Sequence, residues 1–211
     1  MALTQIPLPG ARIGFDPHWL PPDQADALLE ALLRDVPWEV HRIRLFGREH
    51  ASPRLSCWIG DADARYRYSG TLFEPRPWPR ALEPVRERLA ETLQVGGDNV
   101  FNSVLANRYR DGRDAMGWHS DDEAELGSEP LIGSLSLGAT RRFLLRHRSE
   151  PSRRLALELP HGSLLVMSGP TQLHYRHALP RTRRPVGERV NLTFRRIVAG
   201  ECGDTGRGSR R

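Results

Sequence analysis

The sequence predicts a mainly β protein with flanking helices, an α+β chain built on an antiparallel sandwich or jelly roll. Three observations predict it. From about Val100 onward the chain reads as short apolar or alternating runs punctuated by Gly, Pro, Asn and Asp, as successive antiparallel strands do. Upstream, two segments carry helical spacing instead. At 211 residues the chain is long enough to bury one sizeable core, so a single globular domain is expected.

The N-terminal stretch MALTQIPLPGARIGF has no basic segment leading into a long apolar run, and no part of the chain approaches the roughly eighteen apolar residues of a membrane span. An unexported cytoplasmic protein without a membrane partner is expected. In DQADALLEALLRDVPW, Leu28, Leu29, Leu32 and Leu33 recur at helical spacing after a Pro-Pro-Asp start, and Pro37 closes the helix. Residues 41 to 73 read as strands and loops. PRALEPVRERLAETLQ gives a second helix with the stripe Leu82, Val85, Leu89 and Leu93, and Pro84 is expected in its first turn, where a missing N–H costs little. The strand candidates that follow are FNSVLANRY, LIGSLSLG, RRFLLRH, RLALELP, GSLLVMS, QLHYRHALP and RVNLTFRRI. The expected organisation is an N-terminal extension over 1–100, a β core over 101–198 and a disordered tail over 199–211, where GECGDTGRGSRR has little to bury.

Composition narrows the partner. The 31 basic residues exceed 26 acidic ones, for a net charge of +5, and with no lysine in the chain every basic residue is an arginine. The guanidinium fork suits phosphate and carboxylate, so an anionic partner is favoured, although arginine usage of this kind also follows from a GC-rich genome. Cys57 and Cys202 form no close pair, which argues against a disulfide framework or a zinc knuckle and fits a reducing compartment.

Two stretches carry candidate chemistry. In the last strand, period two puts Val190, Leu192 and Phe194 on one face and Arg189, Asn191, Thr193 and Arg195 on the other. The polar face is either a solvated outer surface or a pocket for a dicarboxylic anion. In GWHSDDE, His119 stands before Asp121, Asp122 and Glu123, and adjacent carboxylates persist only if they are solvated or a cation collects them. His119 and Asp121, two apart, can grip one ion from the same side of an extended segment. A second imidazole, from His161, His174 or His177, would complete the two-histidine, one-carboxylate set of non-haem Fe(II) oxygenases.

FNSVLANRYRDGRDAMGWHSDDEAELG, PLIGSLSLGATRRFLLRHR, HGSLLVMSGPTQLHYRHALP and RVNLTFRRI together resemble the core of the AlkB family, Fe(II)- and 2-oxoglutarate-dependent dioxygenases that repair alkylated nucleic acid. The resemblance runs from about Arg42 to Ile197. It implies a double-stranded β-helix, a jelly roll with N-terminal helices and a nucleotide-recognition lid. By the same resemblance His119, Asp121 and His177 are the iron ligands and the catalytic centre, His177 being the histidine of HALP. Arg189 and Arg195 hold the carboxylates of 2-oxoglutarate, with Asn107, Tyr109, Asn191 and Thr193 lining its pocket. Asp122 and Glu123 meet the damaged base, which carries positive charge when alkylated at adenine N1 or cytosine N3.

ARYRYSG resembles the lid, with Tyr66 stacking the flipped base and Tyr68 close by, and RIRLFGREHASPRLSCWIG resembles a duplex-probing hairpin with Phe46 as its wedge. The implied protein is a monomeric, bacterial-type DNA demethylase that consumes O₂ and 2-oxoglutarate and releases formaldehyde. Its partner is alkylated DNA, single- or double-stranded, with RNA or another substrate as the alternative and a non-catalytic jelly-roll binding protein as the rival from another class.

Overall fold

The computed structural model describes residues 3–40, 42–45, 48–68, 71–97 and 101–198, with 42–45, 48–50, 66–68 and 71–73 described through their backbone pairing alone. Strands are numbered in chain order. A seven-stranded sheet runs β1 (Thr4–Ile6), β2 (Arg12–Asp16), β13 (Ser163–Ser168), β10 (Ile132–Gly138), β15 (Arg189–Arg195), β8 (Ser103–Tyr109) and β5 (Leu55–Gly60). A four-stranded sheet runs β12 (Arg154–Leu159), β11 (Arg141–His147), β14 (Tyr175–Leu179) and β9 (Met116–His119). Two hairpins, β3 (Arg42–Leu45) with β4 (Arg48–Ala51) and β6 (Tyr66–Tyr68) with β7 (Thr71–Phe73), complete the β structure.

Strands β8 to β15 pass back and forth between the two larger sheets, and the pairings within both are antiparallel. This is the double-stranded β-helix expected of the sequence. The two N-terminal strands were not among the expected elements, because runs of 3 and 5 residues are too short to display a period. QLHYRHALP divides into a single helical turn, α3 (Thr171–His174), and β14.

Helix α1 (Pro22–Asp35) opens with a proline in its first turn and stops at Val36, which is extended because Pro37 follows it. Helix α2 (Glu83–Leu93) likewise has Pro84 in its first turn. Their buried residues Leu28, Leu32, Val85 and Leu89 pack on one face of the large sheet against Leu135, Leu137, Leu164, Val166, Val190, Leu192 and Phe194. Each such side chain contributes roughly 1.5–3 kcal/mol when fully buried.

The alternate residues of the same strands point into the space between the sheets. There Ile132, Leu165 and Met167 meet Phe143, Leu145, Leu159 and Tyr175 of the smaller sheet. Every residue of β15 is therefore buried, its apolar face under the helices and its polar face inside the jelly roll. At the end of β10, Gly138 has φ +83°, and a Cβ there would collide with the Glu188 carbonyl. Glycine is required where β15 begins, at the approach to Arg189.

Candidate active site

Strands β9 and β14 are neighbours, and His119 lies directly across from His177 in their register. The two rings meet edge to face with centroids 4.2 Å apart. The chain leaves β9 at His119, and Asp121 falls back toward them, its Oδ1 3.8 Å from His119 Nε2. One ligand atom from each of His119, Asp121 and His177 lies within 4.8 Å of the others, so the fold brings together all three expected ligands. His161 and His174 stand elsewhere: His161 Nδ1 accepts the Gly138 N–H at 2.7 Å, and His174 stacks on His147.

The donors are in the state a metal requires. His119 Nδ1 is 2.8 Å from the Gly117 carbonyl, which can only accept, so the proton resides on Nδ1 and the Nε2 lone pair faces Asp121. Burial holds both imidazoles below their ordinary range, His177 at about 3, so both are neutral. Burial pushes the Asp121 carboxyl up, but the neighbouring charges, led by the Arg195 guanidinium bonded to it, outweigh burial and leave the group below its usual value, ionised. Two neutral imidazoles and one carboxylate, in a cavity with room for further ligands, fit a divalent first-row cation.

The polar face of β15 forms the opposite wall. His119, Asp121, His177, Arg189, Asn191, Thr193 and Arg195 line one cavity with Asn107, Tyr109, Leu105, Met116, Phe143 and Met167. Arg189 is 2% exposed. Its Nη2 donates to Ser136 Oγ at 2.9 Å and its guanidinium lies beside Tyr109, 5.2 Å from the ring centroid, where the phenol helps to hold the charge; Nε and Nη1 are buried and make no well-formed hydrogen bond among the described residues. A buried guanidinium that no carboxylate of the described residues neutralises is a receptor for one.

Asn191 and Thr193 are fixed around it: Asn191 Nδ2 donates to Ser134 Oγ and the Leu135 carbonyl, and Thr193 Oγ1 donates to Asn191 Oδ1. Arg195 also borders the cavity, but its Nη2 donates to Asp121 Oδ1 at 2.8 Å. It thereby ties the anion pocket to the metal ligands.

The run of acids is resolved by separate cations. Asp121 turns inward to Arg195, and exposed Asp122 turns outward to Arg148 Nη2. Half-buried Glu123 begins the short turn Ala124–Leu126 through its carbonyl. Tyr66 and Tyr68 lie on β6, paired with β7, but their side chains fall outside the described residues, as does Phe46.

Several residues of the site were not read from the sequence. Gln172, 2% exposed, accepts the Asp121 N–H on Oε1 at 3.0 Å, while Ser120 Oγ donates to the Tyr175 carbonyl at 2.8 Å. Together they clasp the HxD segment to the turn that precedes His177. Arg54 Nε donates to Asn107 Oδ1 at 2.6 Å and its Nη1 to Ser52 Oγ. Ser134 and Ser136 did carry a signal, since they interrupt the buried run LIGSLSLG at period two, on the face opposite Leu135 and Leu137. Gln172 and Arg54 carried none, because nothing local distinguishes them from surface residues of the same type.

The chain is 42% identical over 185 residues to "DNA oxidative demethylase ALKBH2" of Bos taurus, covering 83% of this chain and 65% of that protein. This chain therefore spans just under two thirds of the bovine relative. The human protein of the same name is 40% identical, over 83% of this chain and 69% of its own length. "Alpha-ketoglutarate-dependent dioxygenase alkB homolog 3" of Rattus norvegicus is 39% identical over 92% of this chain and 68% of its own. Among solved structures, "The structure of OsALKBH1" matches with a TM-score of 0.60 over 92% of this chain and 99% of that one, at 16% identity, a likeness of fold. Residues 13–195, from within β2 to the end of β15, match the model of the 2OG-Fe(II) oxygenase superfamily, and the chain belongs to that superfamily.

Proposed function

We propose that this protein is an Fe(II)- and 2-oxoglutarate-dependent dioxygenase that dealkylates N-alkylated bases of the 1-methyladenine and 3-methylcytosine type in DNA. One observation carries the reading: a neutral-imidazole, carboxylate metal triad shares a cavity with Arg189, a buried guanidinium that no carboxylate of the described residues neutralises. The similarity to proteins named DNA oxidative demethylase supports DNA as the substrate.

His119, Asp121 and His177 would hold Fe(II), which with 2-oxoglutarate and O₂ supplies oxidation of the N-alkyl carbon, giving succinate and CO₂ and then formaldehyde and the restored base. Arg189 takes the distal carboxylate of 2-oxoglutarate, oriented by Ser136, while Asn107, Tyr109, Asn191 and Thr193 shape the pocket. Arg195 keeps Asp121 ionised and fixed, and stands at the end of the pocket nearer the metal. Leu105, Met116, Phe143 and Met167 limit water in the cavity.

Glu123 attracts the cationic damaged base, an interaction that an undamaged neutral base lacks, and Asp122 meets the same substrate once it leaves its ion pair with Arg148. Tyr66 and Tyr68 serve as its stacking lid, and Phe46 as the wedge that fills the stack of a duplex. Residues 1–100 form an extension that carries the two helices, the probing hairpin and the lid and packs on the catalytic core at 101–198, in one domain. The protein works as a monomer in a bacterial cytoplasm. Among the described residues no helix is long and apolar enough to cross a membrane.

Mass spectrometry of a 1-methyladenine or 3-methylcytosine oligonucleotide after incubation with protein, Fe(II), ascorbate and 2-oxoglutarate tests the reading. Loss of one methyl per lesion, with matching succinate, is expected. Metal binding without any turnover would instead favour a non-catalytic binding protein, and turnover confined to RNA would move the substrate class.

A further inference from the structure

The outer face of the four-stranded sheet carries a row of charge that the fold does not compensate. Leu145, Leu155 and His177 point inward, so the alternation of β11, β12 and β14 sends Arg146, Arg154 and Arg176 outward. In the register of these strands Arg146 lies opposite Arg154 on one side and Arg176 on the other. Like charges directly opposite one another destabilise a sheet. Among the described residues no carboxylate forms an ion pair with any of the three. The next outward row, Leu144, Ala156 and Ala178, carries no charge, and the row beyond it shows the ordinary solution, with Arg142 set across from Glu158.

The uncompensated row ends beside an aromatic ring. Trp118 on β9 is 41% exposed, and the Arg146 guanidinium lies over it, 4.5 Å from the ring centroid. Trp118 is the one aromatic among the exposed large hydrophobic side chains of the described residues. It immediately precedes His119, and β9 is the edge strand of its sheet. The tryptophan surface therefore adjoins the cavity across the width of a single strand.

Phosphates and a planar partner satisfy both features at once. An acidic peptide would neutralise the arginines but leave the indole exposed, whereas each nucleotide brings an anion and a π face together. We propose that this face binds the single-stranded DNA that flanks the base held in the active site. Phosphates lie on the row Arg154, Arg146 and Arg176, and one base stacks on Trp118. The inference rests on the proposed nucleic-acid substrate, and it adds a second contact surface outside the cavity.

Fluorescence anisotropy with an unmodified single strand of about 20 nucleotides, longer than a typical single-strand site, tests it on the full chain. In Arg154→Gln/Arg176→Gln the slope of log affinity against log salt should become shallower by about 1.4, the share of two phosphates on a single strand. Trp118→Leu should weaken binding about tenfold with little change of slope, because stacking rather than charge is removed. Unchanged affinity and slope in the double variant would overturn the proposal. So would equal binding of polyglutamate of matched charge, which would assign the face to an acidic protein.

Arg154 and Arg176 are exposed, so the double variant decides the matter even if Trp118→Leu disturbs β9. The strand carries no lesion, so binding is read independently of dealkylation. Intact binding with no dealkylation would count against the proposed reaction and leave this surface standing.

Discussion

Replacing Arg189 with methionine should leave the ligand-free protein at least as stable as the parent while erasing its response to 2-oxoglutarate. The two effects have separate origins. In the fold, burial lowers the guanidinium to about 10, below its ordinary range, so the group stays charged at neutral pH but its charged form is destabilised relative to water on the order of 3 kcal/mol. Methionine fills similar space without charge. It forfeits the Nη2 bond to Ser136 Oγ, about 1–2 kcal/mol, so the net change in the ligand-free protein is between zero and a gain of about 2 kcal/mol.

The ligand-bound protein moves the other way. Nε and Nη1, which make no well-formed hydrogen bond in the ligand-free protein, would each donate a charge-assisted bond to the carboxylate at about 1.5–3 kcal/mol. Losing even half of that total weakens binding roughly 10- to 100-fold. With 2-oxoglutarate at a hundred times the parent's Kd the parent gains about 2.7 kcal/mol. For a chain of this size that raises Tm by roughly 5–11 °C. A variant weakened 100-fold gains about 0.4 kcal/mol, a shift near 1 °C. Differential scanning calorimetry with Mn(II), with and without 2-oxoglutarate, reads both numbers. Equal shifts in parent and variant would refute the pocket. A ligand-free variant melting more than about 5 °C below the parent would refute the claim that the charge is stored for a ligand.

Three further outcomes are expected. His119→Ala, Asp121→Ala and His177→Ala should each abolish the Mn(II) signal of bound metal in electron paramagnetic resonance, whereas His174→Ala should retain it; the reverse for His174 and His177 would break the ligand assignment. Gln172→Leu leaves the buried Asp121 N–H without its acceptor and should weaken Mn(II) binding about 10- to 100-fold, and an unchanged affinity would make the Gln172 contact incidental. Burial pushes the Cys57 thiol up to about 11, so in a Cys202→Ser background it should resist iodoacetamide at pH 8 until the protein unfolds. Because the folded value lies above the unfolded one, its contribution to stability is complete below about pH 9 and lost as pH rises toward 11, and rapid labelling of the native protein would contradict its burial.

Much of this was legible locally, because the features concerned are periodic. The helical stripes of α1 and α2 state which face is buried, and the alternation in RVNLTFRRI separates Arg189, Asn191, Thr193 and Arg195 from the apolar residues. The sequence could not say whether that polar face was wet, since a solvated face and a lined cavity have the same period. Only the second sheet, brought across by residues far along the chain, decides it. His119 and His177 could be paired from the sequence only by resemblance, because a register between strands separated by most of the core leaves no local trace. Gln172 was illegible for the same reason: its role depends on where a single helical turn puts an amide relative to Asp121.

The site also explains how a jelly roll can tolerate a polar interior. Elsewhere between the sheets Ile132, Leu165 and Met167 hold Phe143, Leu145 and Leu159 by apolar burial, but a face bearing Arg189, Asn191, Thr193 and Arg195 cannot be held that way. There the smaller sheet contributes His119 and His177, the larger one Arg189 and Arg195, and Asp121 is shared between them through its ion pair with Arg195. A metal on the triad and a dicarboxylate on Arg189 would supply across this gap the attraction that hydrophobic contact supplies elsewhere. The ligands would then act as part of the core, and their binding should stiffen both sheets together rather than order a loop at the mouth. Amide hydrogen exchange can separate the two: protection gained at once in β9, β14 and β15 on adding Mn(II) and 2-oxoglutarate is the pattern this argument requires, and protection confined to residues 122–127 would defeat it.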